Sequence, residues 1–301
     1  MLQYVKELPE SELTELLTSQ GLPIKIGPFN FLLSSNHTAI VKPFRVLYGN
    51  HKLLSKDDFV DFNIYLKKST GIRRWFKPQI EFFFDDQCPF KPLSLREAFP
   101  LLEWSMNWCI GAHAHQYLII HSAVLKKNDA IVILPGAPGS GKSTLCAALM
   151  AEGYQVLSDE LALFDRETGL IDPVCRPISL KNKSIDVITE RYPSLSPASN
   201  VRTENKGYVA HFPTDVNIGK LCQPRFVVFP KYKSGAPFSQ SELSKAECFL
   251  KCVEDSFNYN HLGSEGFDAM SAFISNVDGY TIEYDNLDDA IAFINAKVNS
   301  D

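Results

Sequence analysis

Eight consecutive residues, Gly136-Ala137-Pro138-Gly139-Ser140-Gly141-Lys142-Ser143, combine three glycines with a lysine and a hydroxyl in the Gly-x4-Gly-Lys-Ser pattern of a phosphate-binding loop. The chemistry follows from the residue types. Gly136, Gly139 and Gly141 let the backbone turn its N–H groups inward where a side chain would block it. Those N–H groups and a following helix N-terminus attract phosphate oxygens. Lys142 would reach the β- and γ-phosphates, the Ser143 hydroxyl would ligate Mg²⁺, and Thr144 completes the loop. The pattern needs a strand before it and a helix after it. Ala130–Leu134 reads as a buried strand, and Thr144-Leu145-Cys146-Ala147-Ala148-Leu149-Met150 as the first turns of a helix.

A phosphate loop needs acidic partners. The best candidates stand at the end of the next expected strand, Tyr154–Leu157, where Ser158 is followed by Asp159 and Glu160. Ligands collect at the carboxyl ends of strands in α/β sheets. Adjacent acids at a strand end point to opposite sides, so one can hold a metal while the other takes a proton from an acceptor hydroxyl. His121 ends the apolar run Tyr117-Leu118-Ile119-Ile120 and is a further candidate; by itself such a histidine is more often structural. His113 and His115 are two apart, do not share a helix face, and suggest no ligand role.

The elements that must position these residues are legible in outline. Residues 10–20 read as a helix stopped by Gly21. Strands are expected at 29–33, 60–66 and 80–84, with turns at Gly27-Pro28, Gly49-Asn50 and Asp85-Asp86. Ser94 and Glu97 form a capping-box pattern opening a helix to about Ile110, with Pro100 near its start. Gln116–Leu125 is a strand, Leu161–Phe164 and Leu170–Val174 form a hairpin, residues 193–206 form a mobile loop, and Phe226–Phe229 is a buried strand. Helices at 242–256, 266–275 and 287–297 and a strand at 280–284 complete the expectation. Together these predict an α/β protein: a β-rich N-terminal module over 1–92 and a catalytic domain over 93–301.

Bulk properties limit the partners. The chain has 301 residues, 45% apolar and 22% charged, as a globular protein has. A net charge of −5 argues against a nucleic-acid binder. The basic–aromatic run at 72–77 reads as an exposed strand end or loop. No window offers the ~18 apolar residues of a membrane span. The N-terminus lacks signal-peptide organisation, and the seven cysteines are odd in number and scattered, with Cys248 and Cys252 completing no zinc set. Reduced cysteines in a cytoplasmic protein are the expectation.

Four segments carry a resemblance: Glu-Trp-Ser-Met-Asn-Trp-Cys-Ile (103–110), His-Gln-Tyr-Leu-Ile-Ile-His (115–121), the loop with its flanks (134–149) and Leu-Ser-Asp-Glu-Leu-Ala-Leu (157–163), extended by Arg-Pro-Ile-Ser-Leu-Lys-Asn (176–182). In this order and spacing they resemble the HPr kinase-related kinases, branch A. The resemblance implies a P-loop catalytic domain similar in fold to HPr kinase and to ATP-dependent phosphoenolpyruvate carboxykinase. It implies ATP and Mg²⁺ as cofactors and a hydroxyl acceptor, serine on a protein or peptide, or a small molecule. It also implies His121 in the active site, Asp159 as base and Glu160 at the metal. Val174-Cys175 stand where that family has a metal-binding glutamate before the arginine that Arg176 matches. A late arginine is not recognisable either; Arg202 and Lys206 are weak substitutes. A small PqqD-like peptide-binding protein is a candidate partner by the same resemblance, and the hexamers of HPr kinases make a homo-oligomer an expectation. The alternative reading is an ATP-binding regulatory or partner-binding module with little or no transfer. A nucleotide-driven motor is weaker still, for want of a recognisable arginine finger or sensor motif.

Overall fold

A computed structural model describes residues 3–55, 57–70, 76–218 and 223–300. Most of the basic–aromatic run at 72–77, and Cys222, lie outside the described residues. The architecture is mixed α/β, with several mixed sheets. The chain forms two compact units, one of residues 1–110 with 179–216, the other of 111–178 with 217–301. These units do not follow a 92/93 boundary. Residues 179–216 belong to the first unit because their side chains and backbone are used there. Glu204 N–H donates to the buried Glu97 carboxylate (3.1 Å), Lys206 lies 3.9 Å from the Trp104 ring, and His211 meets Phe99 edge-on at 5.1 Å.

In the first unit a sheet runs in the order β1 (Leu22–Ile26), β2 (Phe29–Ser35), β3 (Phe62–Lys68), β4 (Gln79–Phe84), β5 (Leu93–Ser94). Alternate burial along β2 seats Phe29, Phe31 and Leu33 inward, and Phe31 packs on Phe62 of β3 at 5.1 Å. β2 and β3 are parallel, and the helix Val41–Tyr48 lies in the crossover between them. Sequence reading placed no helix there; Pro43 sits in its first turn, where its missing N–H has no intrahelical partner to lose. The Ser94 capping box does not form. Ser94 makes no capping bond, and Glu97 is drawn to Glu204 instead. Pro100 lies in the first turn of the helix Ala98–His113.

The chain then runs through β6 (Tyr117–Lys127), β7 (Ala130–Pro135), β8 (Gln155–Ser158), β9 (Leu161–Asp165) and β10 (Ile171–Asp172). It continues through β11 (Ile178–Lys181), β12 (Ser199–Thr203) and β13 (Gly207–Phe212), then β14 (Pro224–Tyr232), β15 (Ser239–Leu243) and β16 (Asp278–Tyr284). β12 and β13 are an antiparallel hairpin, so part of the expected loop at 193–206 is ordered. Its polar composition was misleading: Ser199 and Thr203 are buried at the two ends of β12, and the Thr203 hydroxyl donates to Gly207 C=O (2.9 Å). Residues 242–243, expected to begin a helix, end the edge strand β15. The helix starts at Lys245, behind a true capping box of Ser244 and Glu247.

The second unit carries the sheet β10-β9-β6-β7-β14-β16-β15, with β8 also on β6. β7, β14 and β16 are mutually parallel, and β6 is antiparallel to β7, β8 and β9. Every residue of β7 is buried. Ile131 and Ile133 join a core with Cys248, Met270, Phe273 and Ile274 from the helices Lys245–Glu254 and Ser264–Ser275. The helix Lys142–Ala151 packs against β6, β8 and the helix Leu287–Val298. Two-sided burial explains why β7 reads as an unbroken apolar run. Among the described residues no helix is long and apolar enough to cross a membrane. Six described cysteines are free, all buried but Cys88.

β6 changes neighbours in its middle. Its second half lies between β7 and β8, with Ser122 opposite Pro135 and Val124 opposite Ser158. Its first half pairs with β9, and its other edge is covered by residues 255–258. There Asn258 accepts from Ile119 N–H (2.9 Å) and donates to Tyr117 C=O (2.8 Å). Replacing Asn258 by Ala would orphan both buried groups, so Asn258→Ala is expected to cost about 2–5 kcal/mol. Urea unfolding followed by circular dichroism, which reports the second unit as well as the first, measures this. A loss below about 0.5 kcal/mol would show that this clamp does not hold the segment.

Candidate functional site

The partner change in β6 decides where the candidate residues meet. β7 and β8 are both antiparallel to β6, so both finish at the same end of it. The Gly136–Gly141 loop therefore leaves from Pro135 beside Ser122, and Asp159-Glu160 leave from Ser158 across the strand. His121 stands between them. Its imidazole Nε2 lies 3.0 Å from Glu160 Oε2, and its ring meets Phe257 at 5.6 Å. The structure thus brings His121, Lys142, Asp159 and Glu160 into one unit and one neighbourhood.

Within the loop the crest, Ala137-Pro138-Gly139, is exposed, and the helix begins at Lys142. Ser140 N–H closes a turn on Ala137 C=O (3.1 Å), and Tyr232 N–H holds Ser140 C=O from the end of β14 (2.9 Å). Gly141 is at φ 93°, and a Cβ there would fall 2.8 Å from the Tyr284 hydroxyl oxygen. Only glycine meets both requirements. Tyr232 and Tyr284 buttress this side edge-to-face, with centroids 6.1 Å apart. The N–H groups of Lys142, Ser143 and Thr144 open a helix and have no intrahelical acceptor. Ser143 and Thr144 themselves are half-buried.

Among the described residues, Ser140 Oγ, Lys142 Nζ and the Tyr284 hydroxyl, all buried around the loop, find no hydrogen-bond partner. Buried polar groups are nearly always satisfied, so such a cluster needs an explanation beyond the packing of the fold. Lys142 is the costliest member, being only 6% exposed. Burial lowers its pKa from the ordinary 10.5, and the charges of Glu160, Asp159 and Asp255, in that order, oppose the shift without overcoming it. Free donors and a buried ammonium at a helix N-terminus fit an anion of the phosphate class.

The two acids part by burial. Asp159 is 4% exposed, and its charge acts on the buried Cys146 thiol of the helix Lys142–Ala151. Burial first, then the Asp159 charge, pushes the Cys146 thiol well up, so the thiol stays protonated. Glu160 is turned to His121, with about a quarter of its side chain exposed. The Ser158 hydroxyl fixes the bend, accepting from Glu160 and Leu161 N–H (3.3 and 3.0 Å). Val174 and Cys175 pack on the free edge of β8: Val174 N–H donates to Leu157 C=O (2.9 Å) and the Cys175 thiol to Val156 C=O (3.3 Å). That explains an apolar residue and a thiol at these positions. Arg176 follows, also buried.

Sequence reading missed Asp255. Its carbonyl accepts His121 N–H at 2.8 Å, and its half-buried carboxyl interacts with His121 and Lys142. Burial raises its pKa, opposed by those two groups. No local pattern announces it, because it follows the last turn of a helix and reaches the site only by strand-like pairing. Among the described residues no three His, Cys, Asp or Glu side chains converge closely enough to hold a metal ion by themselves. That leaves room for a Mg²⁺ ion, which usually takes only one or two carboxylates and completes its shell with phosphates and water. Ser143, Glu160 and Asp159 have the donor chemistry for such an ion. No family profile matches this chain, and no curated protein matches its sequence significantly.

The lowered Lys142 pKa has a thermodynamic sign. The charged lysine costs the folded state more than the unfolded chain; the cost is full below the folded-state pKa and relieved as pH rises through it toward 10.5. Lys142→Met is therefore expected to raise the unfolding temperature of the free protein near neutral pH, and the advantage should shrink as pH increases. Calorimetric scans of both proteins over that range test this; a Lys142→Met protein less stable than the native one would mean that attraction to the acids outweighs burial.

Proposed function

We propose that this protein is an ATP-dependent phosphotransferase that moves the γ-phosphoryl group to a hydroxyl, serine on a protein or peptide or the alcohol of a small molecule. Part of the same proposal is that residues 93–301 carry an HPr kinase-like P-loop catalytic fold. The observation that carries it is the buried, unpartnered Lys142 ammonium at the head of a strand–loop–helix, with Asp159 and Glu160 on the neighbouring strand end. A polyphosphate supplies what these groups lack: oxygens for the loop N–H groups, for Lys142 and for the Ser140 hydroxyl.

In this reading the loop from Gly136 to Thr144 grips the phosphates, and Lys142 neutralises charge that develops on the transferred group. Ser143 with Glu160 and Asp159 would hold Mg²⁺, which would supply further neutralisation of phosphate charge. Asp159 takes the proton of the acceptor hydroxyl as its oxygen bonds to the γ-phosphorus and the bridging P–O bond breaks, leaving ADP and a phosphate ester. The charges of Asp159 and Lys142 act on one another at the head of the helix Lys142–Ala151. His121, paired with Glu160, orients that carboxylate.

Radiolabelled γ-phosphate transfer into lysate of the host, with Mg²⁺ present, tests the proposal. Asp159→Asn should lower turnover by about 10²–10⁴-fold while nucleotide affinity stays unchanged. Lys142→Ala should lower both. Unchanged turnover in Asp159→Asn would remove the base assignment. Tight nucleotide binding by native protein with no labelled product would favour the ATP-binding regulatory module instead.

A further inference from the structure

Across the sheet the order β8, β6, β7, β14, β16 gives the loop two different flanks. On one flank, two strand spacings or about 10 Å from β7, β8 delivers Asp159 and Glu160. On the other, one spacing or about 5 Å away, β14 runs on past the start of the loop. Val227 stands opposite Ile133, so Phe229 is level with Pro135, and Tyr232 lies three positions beyond that level. The end of β14 thus borders the glycine loop, and the side chain it presents there is Tyr232. Its N–H holds Ser140 C=O (2.9 Å), and a Cβ on Gly141 would fall 3.0 Å from the Tyr232 Cβ.

Alternation along the two strands sorts their side chains. Lys231 and Glu283 pair on one face (2.8 Å), whereas Tyr232 and Tyr284, opposite one another in the register, share the face that meets the loop. The buried Tyr284 ring meets Tyr232 edge-to-face at 6.1 Å and fixes it, while Tyr232 stays 49% exposed. Neither anchor consumes the ring, since one is a backbone N–H and the other an edge contact. A held, half-exposed aromatic ring beside a phosphate loop offers its π face to a planar group. A nucleotide whose terminal phosphoryl group faces Asp159 and Glu160 leads its sugar and base away from β8, which is toward β14. We infer, resting on the reading of this loop as a nucleotide site, that Tyr232 is the stacking platform for the base of the bound nucleotide. The ligand is then a nucleoside polyphosphate rather than an inorganic one. Because every base has a π face, the platform itself does not select adenine.

Titration calorimetry with Mg²⁺–ADP and with Mg²⁺–pyrophosphate tests the inference, because only the first carries a base and neither has a γ-phosphoryl group to transfer. Tyr232→Ala should weaken ADP binding by about fivefold or more, the scale of one lost base–aromatic stack, and leave pyrophosphate binding within twofold of native. Tyr232→Phe should bind ADP like the native protein, since the ring and not the hydroxyl is used. ADP affinity of Tyr232→Ala within twofold of native would overturn the inference and leave the phosphate site standing. Equal losses of ADP and pyrophosphate would overturn it too, because Tyr232 would then serve only to shape the loop. Native protein that binds neither ligand would overturn the underlying reading as well. A second measurement uses unsubstituted protein and so does not depend on a variant folding. Photolysis of bound 8-azido-ADP should label the segment 231–234. Label found only elsewhere in the chain would overturn the placement of the base on this flank.

Discussion

A β-strand has two edges, and β6 spends each of them twice. From Ser122 onward it lies between β7 and β8; before that it lies between β9 and residues 255–258. The exchange happens at His121. Because β7 and β8 both run opposite to β6, they stop at that level, and their following segments emerge side by side. The glycine loop, the acidic pair and the histidine owe their proximity to this single ladder. The buttressing of the loop by Tyr232 and Tyr284 follows from the same sheet, since β14 and β16 run parallel to β7 and end at the same rim.

The site is assembled at a cost in stability. Among the described residues an ammonium is buried without a hydrogen-bond partner, two hydroxyls beside it find none, and an acid stands at a helix end that repels it. A sequence selected only for stability would have avoided these features. Elsewhere in the same unit local rules are obeyed: the Ser244–Glu247 box caps its helix, and β7 is apolar on both faces. Departures of this kind gathered around one side chain are typical of functional or strained sites.

Where the determinants are local, the sequence could be read. The apolar run of β7, the glycine loop and the helix after it, the hairpin of β9 with β10, and the alternation along β3 each depend on neighbours a few positions away. Reading failed where a distant partner decided the outcome. Ser199–Thr203 looks like loop and is a strand, because β13 pairs with it. Ser94 and Glu97 match a capping pattern, but Glu97 serves Glu204, 107 residues distant. The helix Val41–Tyr48 was not read from sequence, and its proline falls in the one turn that tolerates it.

The residue types and spacing from 136 to 144 determined by themselves that a glycine-rich loop, a lysine and a hydroxyl would open a helix. Adjacency likewise determined that Asp159 and Glu160 would follow a strand. What tertiary structure alone decided is which side chains share the space around Lys142. His121 faces Glu160 because β6 and β9 are in register, and Asp255 arrives because Asn258 captures a strand edge 139 residues away. Hydrogen-bond ladders between distant segments carry no signature in either segment alone, since any extended backbone presents the same N–H and C=O groups; burial and the available edge select the partner.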